Sequence, residues 1–459
     1  MANLAFQEYI EKLSRQKVLI FGLGLQGGGV DSAKFFLKYA KEVKITDLKT
    51  EKELKPSLAQ LKNFSYSLTL GEHRDEDIQW ADLIVVNQDI WNKSPDSHFL
   101  QLAYQLDKQI ETQIGLFFRF CDCPIIGITG TRGKTTTTYA CFKMLQDNGF
   151  KVILGGNVPH TEILNQLENS QDLDFAILEL SNFQLHALHL EKKSPHIAIV
   201  TSIYPDHLIS YAGENFEEQM QNYIKDKTAI CCYQNANDFL LLKKEEQILQ
   251  SFAPLSQAQV LFFDESALPK DYKIKLPGKH NQQNLSSIFT LGKILNISRE
   301  KIQASLENFQ GVPYRLEKRG ERNGIIFIND TTATTPIAAQ IALESFPANK
   351  IIWIGGGYSK QLPLQNLVKT LMQTAKKIIL LEGTGTTELK QELQKFNFED
   401  RLISQIFINL KEAVETAYSQ AHAGDIILLS PGFASFGMFV NEFDRGDQFN
   451  QIVEKIISQ

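Results

Sequence analysis

The run Ile125-Ile-Gly-Ile-Thr-Gly-Thr-Arg-Gly-Lys-Thr135 has the composition of an anion cradle. An apolar strand feeds a glycine-rich turn, and Lys134 and Thr135 open the next helix. Such a turn aims backbone N–H groups and a helix N-terminus at phosphate oxygens. Lysine at this place pairs with β/γ-phosphates, and the threonine hydroxyl holds Mg²⁺. Gly130, Thr131, Arg132, Gly133, Lys134, Thr135 and Thr136 are therefore the expected nucleotide-phosphate contacts. The spacing is GxxGKT, with Ile128 where the longer GxxxxGK[ST] pattern has glycine. The competing reading is a turn that happens to contain Gly-Lys-Thr.

A second glycine turn, Gly22-Leu-Gly24-Leu-Gln-Gly27, also follows an apolar strand, and Asp47 closes the next strand. Alone this spells a dinucleotide fingerprint with its ribose-binding acid, and an NAD-dependent oxidoreductase follows from it. GxGxxG by itself is weak, because a tight turn for helix–strand packing has the same composition. Beside a phosphate loop it points to a second nucleotide-like ligand. A third group lies at strand ends: Glu179 after Phe175–Leu178, and Asp206-His207 after the strand ending near Ser202. In open parallel sheets, ligands sit outside the carboxyl ends of the strands. A carboxylate and an imidazole there suit Mg²⁺ bridging phosphates. Singly, each is as well explained as a capping acid or a half-buried histidine.

The elements that must position these residues alternate strand and helix throughout, which argues for α/β domains with mainly parallel sheets. Strands are expected at Val18–Phe21, Val43–Asp47 and Leu83–Asn87. A second set falls at Ile125–Thr129, Phe175–Leu180 and Ile197–Thr201, with a helix over Asn281–Leu295. A third falls at Ile325–Asn329, Ile351–Ile354, Ile378–Leu381 and Ile426–Leu429. Cys121-Asp-Cys-Pro124 reads as a linker, since proline disfavours helix just before it. Gly311-Val-Pro313 marks the next boundary. Three domains are expected, at 1–118, 119–311 and 312–459.

Composition narrows the class. The 459 residues carry 47 Lys+Arg against 53 Asp+Glu, a net charge of −6, so no basic face for nucleic acid is evident. Five cysteines without a CxxC pair argue against a disulfide framework or zinc ribbon. The N-terminal residues have no apolar signal-peptide core, and no apolar run approaches the ~18 residues of a membrane span. A soluble, cytoplasmic, monomeric enzyme without membrane or nucleic-acid partners is expected.

Further motifs follow in order: Gly155-Gly-Asn157, Glu179-Leu-Ser-Asn-Phe-Gln184, Pro205-Asp-His207, Gly278-Lys-His-Asn281, Tyr314-Arg-Leu-Glu317, Asn329-Asp330, Leu429-Ser-Pro431 and Ser435–Gly446. This series resembles the Mur ligases, ATP-dependent amide-forming enzymes of peptidoglycan synthesis, across almost the whole chain. The Ser435–Gly446 run is most similar to the glutamate-adding branch, which extends UDP-N-acetylmuramoyl-L-alanine. The resemblance implies an N-terminal Rossmann-like domain for the UDP group and a central P-loop ATPase domain. It also implies a C-terminal Rossmann-like domain that closes over the site. ATP would phosphorylate the terminal carboxylate, and the amine of glutamate, D-glutamate in that branch, would displace phosphate.

Carried over residue by residue, Lys134 would grip the phosphates, and Thr135, Glu179, His207 and a carbamylated Lys227 would hold two Mg²⁺ ions. Without the resemblance, Lys227 reads as a solvated helix lysine beside Lys225 and Asp226. Gly24, Leu25, Gln26, Asp47 and Asn157 would contact the UDP substrate. Asn284 would touch adenine, and Arg315 and Asp330 the ribose. Lys360, Ser435 and Phe436 would bind glutamate, with Ser435 placed just before a helical stretch; otherwise Lys360 is a surface lysine and Ser435 a helix cap.

The chain departs from the family pattern at Arg132 (Asn), Ile209 (an acid), Thr332 (Lys), Asp89 (Gly) and Glu442 (Phe). A poly-γ-glutamate or folylpolyglutamate ligase, or an L-glutamate-using relative, would share the phosphate loop. A non-catalytic nucleotide sensor would not need Lys134, Glu179, His207 and Lys227 together.

Overall fold

The computed structural model describes residues 4–458, except 26, 88–89, 91–96, 159–160, 207, 209–210, 212, 273–275, 277–278 and 397–400. Gln26, Asp89, His207 and Ile209 thus lie outside the described residues. The chain divides into two compact units: residues 1–272 with 283–306, and 273–282 with 307–459.

Among the described residues the first unit holds two wholly parallel sheets. The five-stranded one contains β1 (Lys17–Phe21), β2 (Glu42–Asp47), β3 (Ser67–Leu70), β4 (Leu83–Val86) and β5 (Gln109–Glu111), in the order β3-β2-β1-β4-β5. The six-stranded one contains β6 (Ile125–Thr129), β7 (Val152–Gly156), β8 (Phe175–Glu179), β9 (Ile197–Val200), β10 (Phe239–Lys243) and β11 (Gln259–Phe263), in the order β11-β10-β9-β6-β8-β7. Central strands such as β4 and β6 are buried along their whole length. That explains why they read as continuous apolar runs rather than alternating ones.

Both sheets reverse their strand order at one point, between β1 and β4 and around β6. The crevice at such a switch point is where open α/β sheets bind ligands. β6 runs straight into the loop Gly130–Gly133 and the helix Lys134–Asp147. The helix Gln113–Phe120 crosses residue 118, and the extended piece 121–124 leads into β6.

The second unit holds β12 (Glu317–Arg322), β13 (Ile325–Asn329), β14 (Ile351–Gly356), β15 (Ala375–Leu381), β16 (Leu402–Phe407) and β17 (Ile426–Leu429), in the order β12-β13-β17-β14-β15-β16. β12 pairs antiparallel with β13, and the other pairs are parallel. Trp353 is fully buried beneath this sheet, and its indole N–H donates to the Ser430 carbonyl at 2.8 Å. One local expectation fails. Ser435 precedes a turn rather than a helix, because Gly437 sits at φ 94 and interrupts the chain before the helix that begins at Glu442.

Candidate active site

The middle sheet gathers its polar residues at the carboxyl end of β6. Gly130 (φ 152) and Gly133 (φ 83) give the loop its shape. A Cβ on Gly130 would lie 2.0 Å from Thr201 Oγ1, and one on Gly133 would lie 2.4 Å from Asn284 Oδ1. Asn284 therefore rests directly against the loop. The Thr131 amide donates to the Ser202 carbonyl at 2.6 Å, and the Arg132 amide to Ser202 Oγ at 3.2 Å. Thr131 Oγ1 and the Tyr223 hydroxyl share a hydrogen bond of 2.8 Å. The first intrahelical bond runs from the Thr137 N–H to the Gly133 carbonyl. The amides before it therefore project from the helix end toward the loop's mouth. Lys134 Nζ donates to the Gly130 carbonyl at 2.9 Å, folded over the loop it would serve.

Glu179 ends β8, paired in register between Ile128 and Gly156, and is 2% exposed. The Asn157 side chain donates to Glu179 Oε1 at 2.8 Å, while Oε2 is buried with no hydrogen-bond partner among the described residues. A carboxylate oxygen in that state costs free energy unless a cation or donor meets it.

Lys227, on the helix Phe216–Thr228, is 1% exposed, with its amine 3.4 Å from the Gly130 carbonyl and 3.5 Å from Thr129 Oγ1. The ring of Tyr223 lies 4.9 Å away. Burial, and then the charge of Lys134, hold this amine well below the ordinary lysine range, against the pull of Asp206, Asp226 and Glu179. Gly130, Thr131, Gly133, Lys134, Asn157, Glu179, Lys227 and Asn284 thus share one neighbourhood. Thr135 is buried just inside the helix, and Thr136 is half-buried beside it.

At the first sheet, Asp47 Oδ2 accepts from the Gly24 N–H and Oδ1 from the Lys49 N–H, both at 2.9 Å. Its oxygens brace the glycine turn from within. Leu25 is exposed at the turn's tip. A pocket of about 270 Å³, including its open mouth, lies at the β1–β4 switch point, lined by Gly22, Gly28, Ser32, Asn87 and Gln113 among others.

The second unit collects its loops at the carboxyl ends of β13, β17 and β14. Asp330 is buried; its Oδ1 accepts from the Leu316 N–H at 3.1 Å and Oδ2 from the Ser430 hydroxyl at 2.7 Å. Burial pushes this carboxyl up to about 7, opposed by those bonds and by the charge of Arg315. Its Oδ1 holds the Tyr314–Glu317 turn, in which Tyr314 (φ 65) and Leu316 (φ 46) occupy a region that non-glycine residues rarely adopt, and its Oδ2 ties that turn to Ser430. Arg315 is exposed at that turn. Lys360 Nζ donates to Thr334 Oγ1 at 3.0 Å. Ser435 is buried, Phe436 is exposed, and Tyr358 and Ala434 bridge the two loops through paired backbone bonds of 2.9 and 3.1 Å. Thr332 Oγ1 donates to the Tyr314 carbonyl at 2.9 Å.

Sequence reading missed Ser202, Tyr223 and Thr334. Ser202 and Thr334 lie in loops leaving strand ends, a position that flags them; Tyr223 is one helical turn before Lys227, which places both on one face.

These features define a multidomain α/β protein with a glycine-shaped loop at a sheet switch point. The chain belongs to the Mur ligase family. It matches the Mur ligase middle domain over residues 128–298 and the Mur ligase, glutamate ligase domain over 314–433. It is 34% identical to the UDP-N-acetylmuramoylalanine–D-glutamate ligase of Roseiflexus sp. (strain RS-1), over 96% of this chain and 99% of that one. It is 32% identical to the protein of the same name from Borreliella burgdorferi (strain ZS7), over 97% and 99%. Among solved structures, UDP-N-acetylmuramate–alanine ligase MurC from Thermotoga maritima superposes with a TM-score of 0.61 at 16% identity, covering 96% of this chain and 100% of that one. The MurF ligase of the same organism, in complex with ADP, gives 0.57 at 16%, covering 97% and 99%. At such identities the likeness concerns the fold.

Proposed function

We propose that this chain joins D-glutamate to the alanyl carboxylate of UDP-N-acetylmuramoyl-L-alanine, with ATP converted to ADP and phosphate, in cytoplasmic peptidoglycan precursor synthesis. The convergence of the Gly130–Thr135 loop, Glu179 and Lys227 carries this reading, and the near full-length likeness to D-glutamate ligases supports it. Three functional regions follow: 1–118 for the UDP group, 119–311 for ATP and 312–459 for glutamate.

A carboxylate is a poor acyl donor at neutral pH. Transfer of the γ-phosphoryl group onto it supplies a leaving group. The glutamate nitrogen then attacks the acyl carbon, and the tetrahedral intermediate expels phosphate while the nitrogen loses a proton. Catalysis is mainly positioning and charge neutralisation. The loop amides and Lys134 hold the phosphates, and Asn284 packs where the base would enter. Arg315 and Asp330 serve the ribose, Asp330 by shaping the turn that carries Arg315. Gly24, Leu25, Gln26 and Asp47 form the UDP end, where Asp47 sets the turn. Lys360, Thr334, Ser435 and Phe436 receive glutamate.

The residues fit a divalent cation, because Glu179 Oε2 is buried with no partner among the described residues. Thr135, Glu179, His207 and Lys227 would hold Mg²⁺, which neutralises charge on phosphoryl oxygens when bound. Asn157 fixes the other Glu179 oxygen and faces the alanyl end. The buried Lys227 amine suits carbamylation: its neutral nitrogen adds to CO₂ and releases one proton, turning a cation into an anionic ligand.

Phosphate release from Mg-ATP, with and without UDP-N-acetylmuramoyl-L-alanine and with D-Glu, L-Glu or neither, tests the proposal. Release that needs both the UDP sugar and D-Glu is expected. Preference for L-Glu would reassign the amino-acid pocket, and release without the UDP sugar, on a glutamate acceptor, would favour a polyglutamate ligase.

A further inference from the structure

Cys121 and Cys123 lie outside the site described above, on the piece of chain that leads into β6. Cys121 caps the helix Gln113–Phe120, its N–H donating to the Phe117 carbonyl at 2.9 Å, with extended backbone at φ −71, ψ 121. Pro124 holds Cys123 in the extended region as well. Extended residues two apart present side chains on the same face. The two sulfurs are accordingly 3.4 Å apart. The segment is pinned on both sides of the pair: the Asp122 N–H donates to Ser170 Oγ at 3.2 Å, and the Pro124 carbonyl accepts from the Ala176 N–H at 3.0 Å. Cys121 is partly exposed, while Cys123 is 3% exposed.

The pair divides its chemistry. The two sulfurs share a hydrogen bond that raises the Cys121 thiol and lowers that of Cys123, which leaves the shared proton on Cys121. Elsewhere Cys141 and Cys231 are fully buried, and burial pushes the Cys232 thiol up.

We propose that Cys121 and Cys123 are a reversible modification site for low-molecular-weight disulfides of the glutathione type, which convert them to an intrachain disulfide. The partly exposed Cys121 sulfur attacks one sulfur of the incoming disulfide as its proton passes along the S–H···S bond to the Cys123 thiolate, and the small thiolate it expels takes that proton from Cys123. The Cys123 thiolate then attacks the Cys121 sulfur of the mixed disulfide and expels the second. The protein loses two hydrogens, and the small disulfide leaves as two thiols. Exposure selects the attacking sulfur, and burial reserves the other for the intramolecular step. Such bonds in a reducing compartment are transient, which fits a labile site rather than a structural one.

The test treats the full-length protein with oxidised glutathione, blocks remaining thiols by alkylation, and maps peptides by mass spectrometry. The peptide holding residues 121–123 should lose two hydrogens and resist alkylation until dithiothreitol is added. Cys123→Ser should stop at a stable glutathione adduct on Cys121, and Cys121→Ser should leave Cys123 unmodified. If the Ser variants fail to fold, the wild-type map decides alone. A persistent adduct on wild-type Cys121, earlier modification of Cys232, or full alkylation of both Cys121 and Cys123 overturns the proposal.

Discussion

Gly133→Ala tests the phosphate loop most directly. Gly133 sits at φ 83, and its added Cβ would lie 2.4 Å from Asn284 Oδ1. Gly149, at the other end of the same helix, sits at φ 84 with nothing within 4 Å of a built Cβ. Both substitutions carry the left-handed backbone penalty of about 1–2 kcal/mol. Only Gly133→Ala also displaces Asn284 and tilts the amides that would face phosphate. Charge-assisted hydrogen bonds are worth about 1.5–3 kcal/mol each. Misaiming one should raise KM for ATP roughly 10- to 150-fold, at 1.4 kcal/mol per tenfold. Urea unfolding should show similar stability losses for the two variants. Phosphate release at varied ATP should separate them, with Gly149→Ala close to wild type. Equal KM values for both would refute a phosphate role for the loop.

Glu179→Gln keeps the oxygen that Asn157 bonds but removes the charge; turnover should fall at least about 100-fold and the Mg²⁺ requirement rise, with the melting temperature unchanged, and a wild-type Mg²⁺ titration would count against a cation site. Asp330 has a native pKa raised from 3.8 to about 7, so it contributes stability at low pH that is lost as pH climbs through 7. Asp330→Asn should therefore gain on wild type between pH 5 and 7.5 in denaturant titrations, and parallel curves would contradict this. Thr334→Val and Lys360→Ala should each raise KM for glutamate about tenfold or more while leaving KM for ATP alone, because they break the one bond of 3.0 Å between them. A shift in KM for ATP instead would move both out of the amino-acid pocket.

The buried strands were legible because both of their faces are covered. Ile125–Thr129, Ile325–Asn329 and Ile426–Leu429 match the expected spans. Edge strands were not. β3 exposes Ser67 and Leu68, half of its length, and β12 reads Glu-Lys-Arg-Gly-Glu-Arg, a charged stretch with no apolar period to follow. Edges face water, so their composition reports solvent rather than pairing. The strand–loop–helix arrangement around Gly130–Gly133 was legible for a mechanical reason, since strand, glycines and helix are contiguous in sequence. The state of Lys227 was not. Its neighbours Lys225 and Asp226 read as a wet helix face, and only the fold brings Thr129 and Gly130 against its amine. Asp47 was legible as the acid after the second strand, but its oxygens turn inward to Gly24 and Lys49, which no spacing rule conveys.

The first unit is discontinuous in sequence, and this bears on how the chain is made. Its last piece, residues 283–306, follows a ten-residue excursion through 273–282 into the other unit. That piece buries Leu285, Ile288, Phe289, Leu291 and Ile302, and Gln283 donates to Glu245 and Glu265 at 3.0 Å. A nascent chain ending at residue 272 lacks all of these. It must wait for 34 further residues (306 − 272) before its core can close. At ~5–20 residues per second, that delay is roughly 2–7 s. For that interval the apolar side chains that pack against residues 283–306 lack their cover, so the first unit completes its core only well after most of its strands have been made.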